Sequence, residues 1–105
     1  MSLYMLYRTK TNSGKMEEMW DMRSEFEEIY KKHKVDIVGF WENAEDPTEA
    51  FYIARYDDEN DYKKTVEKLH SDKRYAELTE DLKKLRVDNQ VTRMVPKWIP
   101  EPDCS

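Results

Sequence analysis

The sequence is poor in cysteine, glycine and proline. Cys104 is its only cysteine, so an intrachain disulfide is impossible and a reducing, cytoplasmic location is the simplest expectation. Two glycines and four prolines in 105 residues predict regular elements joined by short connections. A chain of this length is expected to form one domain, residues 1–105. Within it, residues 98–105 are expected to form an extended tail, and residues 1–3 are either an expression leader or native sequence.

Long apolar runs and an excess of positive charge are also missing. No stretch approaches the roughly 20 apolar residues that a membrane span needs, and no basic leader precedes an apolar run, so a secretory signal is not expected. The formal net charge of −5 argues against binding to nucleic acid or to an anionic membrane. An aromatic content of 12%, together with clear periodicity, argues against disorder although 39% of residues are charged.

The spacing of apolar residues predicts the order strand, helix, strand, strand, helix, strand. The predicted strands cover residues 3–9, 35–42, 49–57 and 87–97. The first predicted helix covers residues 15–33, with Ser13 as its cap. The second is interrupted at residues 70–72, where Ser71 is expected to cap a new helix.

Both faces of the predicted sheet carry apolar residues. In the second strand, alternation places Ile37, Gly39 and Trp41 on one face and Val38 and Phe40 on the other. A sheet with one solvated face shows a cleaner alternation of apolar and polar residues. Two helical segments shield only one side of four strands, so the open sheet face is expected to pair with a second copy of the chain in a homodimer.

Several short segments together carry a family resemblance. They are Tyr7-Arg8-Thr9 ahead of Gly14-Lys15-Met16, Ile37-Val38-Gly39-Phe40-Trp41, Ile53-Ala54-Arg55-Tyr56-Asp57, Leu69-His70-Ser71-Asp72, and then Tyr75. From Met5 to about Pro96 the chain resembles a NIPSNAP-type member of the dimeric α+β barrel superfamily. The resemblance implies an α+β, ferredoxin-like βαββαβ fold with a four-stranded antiparallel sheet and helices on one face. It also implies a dimeric α+β barrel with a pocket between helices and sheet in each subunit.

The resemblance does not imply one activity, because the superfamily includes cofactor-independent monooxygenases and haem-degrading enzymes. The haem-degrading relatives carry their axial histidine slightly after the helix break. That place falls near Leu78 or Thr79 here, and neither side chain can bind iron. No cofactor is therefore expected.

Motifs for metal, phosphate or nucleophilic chemistry do not stand out. The two histidines, His33 and His70, are far apart and have no cysteine or histidine at ligand spacing, so no metal site is predicted. Neither a glycine-rich phosphate loop nor a nucleophile elbow occurs. Each histidine lies at a predicted helix end, where it either interacts with the helix dipole or contacts a ligand at the pocket mouth.

Arg55 is a further candidate, because it shares a strand face with Phe51 and Ile53 and is expected to be at least half buried. A buried guanidinium needs a carboxylate, for which Glu42 and Asp57 are the nearby candidates. Arg55 therefore either makes a structural ion pair or binds an anionic or carbonyl-bearing ligand.

Aromatic residues at alternating or helical spacing either fill the core or line a cavity. Gly39 beside Trp41 could leave space there for a flat ligand. No catalytic residue is assigned. The candidate pocket residues are Tyr7, His33, Trp41, Tyr52, Arg55, His70 and Tyr75.

Three functional hypotheses remain open. The leading one is a small homodimeric protein that binds a small apolar or aromatic molecule between helices and sheet. The alternative is a cofactor-independent monooxygenase-like enzyme acting on an aromatic or quinone-like substrate, with polar groups that position it or move protons. The third is a purely structural or regulatory dimer with a filled interior.

Overall fold

Four strands and four helices follow one another along residues 2–98, the residues that the computed structural model describes. Their bounds are β1 (Leu3–Thr11), α1 (Met16–Asp21), α2 (Arg23–Lys32), β2 (Asp36–Asn43), β3 (Asp46–Tyr56), α3 (Glu59–His70), α4 (Lys73–Leu85) and β4 (Arg86–Met94). The predicted βαββαβ order is confirmed, with each helical segment divided into two helices.

The strands form one antiparallel sheet in the order β2-β3-β1-β4. The helices pack on one of its faces, which is the predicted ferredoxin-like arrangement. Two buried clusters lie in this layer, one built from Phe26, Ile29, Tyr30, Leu69 and Leu78, the other from Leu3, Met5, Ala54 and Tyr56. Burial of these side chains is the main favourable contribution to folding.

The prediction of one continuous first helix is wrong. The helix breaks at Met22, whose backbone N–H donates to the Met19 carbonyl at 3.1 Å in a turn tighter than the α-helix. Ser13 is not the cap either, because Lys15 occupies that position and no side chain caps the helix. The apolar stripe continues across Met22, so periodicity alone does not reveal the break.

The break in the second helical segment is confirmed, but its cap was assigned to the wrong residue. Asp72 precedes α4, and its carboxylate accepts hydrogen bonds from the backbone N–H groups of Arg74 (2.9 Å) and Tyr75 (3.2 Å). Ser71 is the residue that ends α3. An aspartate caps a helix at least as well as a serine. The sequence Ser71-Asp72 therefore does not decide which of the two residues is the cap of α4.

A bulge in β2 overturns the predicted alternation. Ile37 pairs with Ala54 while Gly39 pairs with Ile53, so Val38 is an extra residue without a partner on β3. Ile37 and Phe40 consequently both pack against the helix-covered core, although alternation had placed them on opposite faces.

The ends of the strands also differ from prediction. β1 extends to Thr11, β3 begins already at Asp46, and β4 ends at Met94 rather than at residue 97. Trp98, for which cover was expected, is 80% exposed. The rest of the predicted tail, residues 99–105, lies outside the described residues.

Candidate functional site

A cavity of about 170 Å³ lies between the helices and the sheet. A large part of its wall is aromatic, formed by Tyr7, Trp20, Phe26, Tyr30, Phe40, Tyr52 and Tyr75. The cavity is therefore the natural place in this fold for an apolar or aromatic ligand.

The floor of the cavity is a row of cross-strand aromatic pairs. Tyr7 on β1 and Phe40 on β2 are the register partners of Tyr52 on β3, one from each side. The Tyr7 and Tyr52 rings stack at 4.4 Å between centroids, and the Phe40 and Tyr52 rings lie 5.3 Å apart. Ala50 lies two residues before Tyr52 on the same face and supplies only a methyl group, so the space above it stays open.

The tyrosine hydroxyls of this region stay protonated at neutral pH. Burial raises the pKa of Tyr7, Tyr30 and Tyr52, and the proximity of other tyrosines raises the pKa of each further. Burial likewise raises the pKa of Tyr56 to about 12. Phenols in this protonated state are poor proton acceptors.

One side of the cavity is lined by residues at the break between α1 and α2. Trp20 on α1 donates from Nε1 to the Glu42 carboxylate on β2 at 3.0 Å, and its ring meets Phe40 edge-on at 6.4 Å. Arg23, the first residue of α2, also lines the cavity and pairs with Glu27 at 3.2 Å. The Trp20–Glu42 hydrogen bond ties the short helix α1 to the sheet.

Polar residues gather near the end of α4. Thr79 and Arg86 line the cavity there, as do Thr9 on β1 and its register partner Asn89 on β4. The Thr9 hydroxyl donates to the Asn89 side-chain oxygen at 3.4 Å. The cavity thus has an aromatic part and a polar part.

Three of the predicted pocket residues, Tyr7, Tyr52 and Tyr75, lie together in the cavity wall. Trp41 does not, because it follows the bulge on β2 and lies on the open face of the sheet, 46% exposed. The Trp41 indole lies over Gly39. A Cβ atom added at Gly39 would lie 3.0 Å from Cη2 of the Trp41 ring. The space expected beside Gly39 is therefore filled by Trp41.

Arg55 also lies outside the cavity wall. Its side chain is 36% exposed and contacts Asp36 and Asp57, each at 3.4 Å. The predicted partner Asp57 is thus observed, whereas Glu42 binds Trp20 instead. Asp36 is the register partner of Arg55 on β2, so the pair follows from the strand register.

The two histidines lie away from the cavity. His33 Nε2 contacts the Asp72 carboxylate at 2.8 Å, and Lys32 contacts the same oxygen at 3.3 Å. The hydrogen bond with His33, supported by the Tyr75 backbone N–H and by Lys32, holds the pKa of Asp72 well below its usual range. This cluster joins the end of α2 to the start of α4, while His70 is exposed at the end of α3.

Sequence reasoning missed four aromatic wall residues, Ala50 and the polar lining residues; the aromatic ones are Trp20, Phe26, Tyr30 and Phe40. Helical spacing from Tyr75 indicates two of the polar residues, Thr79 and Arg86. They follow Tyr75 by four and eleven residues, on the same helix face as Leu82, which follows by seven. Ala50 is signalled only by its spacing of two from Tyr52. Within residues 2–98, no group of three or more histidine, cysteine, aspartate or glutamate side chains is placed to hold a metal ion.

The comparisons with known proteins assign the chain to a family. The family model described as NIPSNAP matches residues 4–98. The chain belongs to the NIPSNAP family. Comparison with curated protein sequences finds no match. None of the helices in residues 2–98 has the length and apolar character needed to cross a membrane.

Solved NIPSNAP structures have the same fold. A NIPSNAP family protein from Agrobacterium tumefaciens matches with a TM-score of 0.84 at 18% identity, covering 92% of this chain and 94% of the other. An uncharacterized NIPSNAP domain protein from Burkholderia xenovorans matches with a TM-score of 0.84 at 18% identity, covering 94% and 99%. SnoaB, a cofactor-independent oxygenase from Streptomyces nogalater, matches with a TM-score of 0.76 at 10% identity, covering 95% and 98%. At these identities the similarity extends to the fold alone.

Proposed function

We propose that this NIPSNAP protein is a cytoplasmic homodimer in which each subunit binds one small, mostly apolar or aromatic molecule in the tyrosine-lined cavity. The observation that carries the proposal is the cavity itself. An apolar cavity of about 150 Å³ admits benzene, so the 170 Å³ of this one suits a molecule of one or two rings. Stacking on the Tyr7–Tyr52 pair favours a flat ligand.

Binding without turnover is favoured by the chemistry of the wall. Among the cavity-lining residues of the described chain there is no histidine, cysteine, aspartate or glutamate. The tyrosines there have raised pKa values and so do not serve as bases near neutral pH. The wall can therefore hold and orient a molecule, but it lacks a group suited to removing a proton from it.

In the proposed homodimer, the second copy of the chain packs on the open sheet face. Leu6 and Ile53, register partners on the two central strands, are only partly buried there, and Trp41 is 46% exposed. At one end of this face, Arg8 pairs with both Glu49 and Asp88. An apolar centre with a charged rim is the composition of a protein interface, and a two-fold pairing of identical faces matches apolar centre to apolar centre.

The fold similarity to SnoaB supports a second candidate, a cofactor-independent monooxygenase-like enzyme acting on an aromatic or quinone-like substrate. Oxygen consumption with 1-naphthol as the offered substrate separates the two functions. Oxygen consumption that is lost in Tyr52→Phe or in Arg86→Gln would favour the enzyme. Binding of 1-naphthol without oxygen consumption would favour the binding protein.

The proposal is tested by filling the cavity. Ala50 is 4% exposed and lies in the cavity wall, so Ala50→Leu places three additional carbons where the ligand would lie. The probe is naphthalene-2-carboxamide, and binding is followed by ¹⁵N NMR titration. The wild type is expected to show shifts at Tyr52 and its neighbours, which Ala50→Leu abolishes.

Ala76→Leu is the matched control, because Ala76 is exposed on α4 and does not line the cavity. This variant is expected to bind the probe as the wild type does. Equal binding by Ala50→Leu and by the wild type would contradict the proposed site.

A further inference from the structure

Arg86 is the one arginine of the described chain that has no carboxylate partner. Each of the other arginines forms an ion pair: Arg8 with Glu49 and Asp88, Arg23 with Glu27, Arg55 with Asp36 and Asp57, Arg74 with Glu25, and Arg93 with Glu59. No ion pair or side-chain hydrogen bond within residues 2–98 involves the Arg86 guanidinium, although Arg86 as a whole residue is partly buried. A partly buried charge is costly unless it is paired.

The position of Arg86 places this charge at the cavity. Tyr75, Thr79 and Leu82 form the cavity-facing stripe of α4, and Arg86 continues it as the first residue of β4. Burial raises the pKa of Tyr75, and the Thr79 hydroxyl and the Arg86 charge act in the opposite direction. Arg86 thus acts electrostatically on a phenol in the cavity wall.

No neighbouring carboxylate within residues 2–98 pairs with Arg86. Asp88 lies two residues further on but pairs with Arg8, and on α4 the carboxylates of Glu80 and Asp81 pair with Lys83 and Lys84. The C-terminal end of α4 contributes only about half a negative charge. Its Leu85 carbonyl already accepts from the Asn12 backbone at 2.9 Å.

We propose that the ligand of the cavity carries an anionic group, of the carboxylate class, which pairs with Arg86 while its ring system stacks on the tyrosine floor. This inference rests on the proposed function and adds the chemical class of the ligand to it. Thr79 and Asn89, which also line the cavity, supply further hydrogen-bond donors for such a group. A planar guanidinium suits a carboxylate, because it can donate two parallel hydrogen bonds.

The test compares two probes of the same shape, naphthalene-2-carboxylate and naphthalene-2-carboxamide, by ¹⁵N NMR titration and calorimetry on the full chain. The wild type is expected to bind the carboxylate about tenfold more tightly than the amide, the ratio expected for one charge-assisted hydrogen bond. Arg86→Gln should remove this preference without changing the affinity for the amide, and Arg86→Lys should retain part of it.

Arg74→Gln is the matched control, because Arg74 lies on α4, is paired with Glu25 and does not line the cavity. It should keep the preference for the carboxylate. In the wild type, added KCl should weaken binding of the carboxylate and leave the amide unaffected, a measurement that does not depend on any variant folding.

Two results would overturn the inference and leave the proposed function standing. One is equal affinity of the wild type for both probes, with shifts at the cavity residues. The other is a carboxylate preference that survives in a folded Arg86→Gln. Failure of both probes to shift any cavity residue would overturn the inference together with the proposed function.

Discussion

Tyr7 and Tyr52 stack across β1 and β3 with their ring planes 12° apart. The stack forms because both residues lie on the helix-covered face and are direct register partners. Ala50, two residues before Tyr52, leaves one side of the stack without a packing neighbour of similar size. The same pair therefore contributes to the core and provides the flat wall of the cavity.

The Tyr52 ring is expected to contribute strongly to stability. Tyr52→Ala should lower the free energy of unfolding by roughly 3 kcal/mol, the low end of the range for buried aromatic side chains, because part of the ring already faces a cavity. Urea unfolding followed by circular dichroism measures the change. Val87→Ala, at a position 59% exposed, is the control and should change the free energy by no more than about 0.5 kcal/mol.

The cap of α4 can be identified by comparing two neighbouring residues. Asp72→Ala removes the acceptor for the backbone N–H groups of Arg74 and Tyr75 and should lower the free energy of unfolding by about 1–2 kcal/mol. Ser71→Ala should leave it nearly unchanged. A larger loss in Ser71→Ala than in Asp72→Ala, measured by urea unfolding, would restore Ser71 as the cap.

Stability should also fall in acid because of Asp72. Its pKa is lowered in the folded state, chiefly by the hydrogen bond with His33. In the unfolded chain an aspartate has a pKa of about 3.9. The folded state therefore binds fewer protons over this range, so the stabilisation is complete above about pH 4 and is lost as the pH falls toward the folded-state pKa.

A pH series of urea midpoints from neutral pH downward measures this loss. Asp72→Asn should show a shallower acid decline than the wild type, because its side chain does not titrate. Asp46 and Glu49, whose pKa values are also lowered, contribute equally to both proteins and cancel in the comparison. Identical declines would show that Asp72 is not a source of the pH dependence.

The open sheet face should control assembly. Ile53→Asp places a carboxylate in the apolar centre of this face and should convert the dimer into a monomer, because a charge buried between two sheets has no partner. Light scattering coupled to size exclusion measures the mass. Ala76→Asp on the exposed side of α4 should leave the dimer intact. Loss of the dimer in both variants would point to a different interface.

The order of the elements could be predicted because apolar periodicity changes clearly between strands and helices. The details that were missed are those that periodicity does not encode. Val38 shifts the register of β2 by a single residue, and only the adjacent Gly39 signals it. That shift explains why Phe40, rather than Trp41, lines the cavity.

Only three tyrosines of the aromatic part of the candidate site could be predicted. Tyr7, Tyr52 and Tyr75 lie in the wall as aromatic residues at regular spacing suggested. His33 and Arg55 drew attention as charged or titratable residues at conspicuous places, but each has a carboxylate partner elsewhere. Arg86 was not a candidate residue, because it is the first residue of β4 and lies just beyond the end of α4 and its stripe of cavity-facing residues.

The most direct test of the account is native mass spectrometry of the protein purified from its own host. We expect the mass of two chains together with a bound small molecule, and loss of that molecule in Ala50→Leu. A single chain that carries no additional mass would contradict both the proposed pairing of the sheets and the proposed ligand in the cavity.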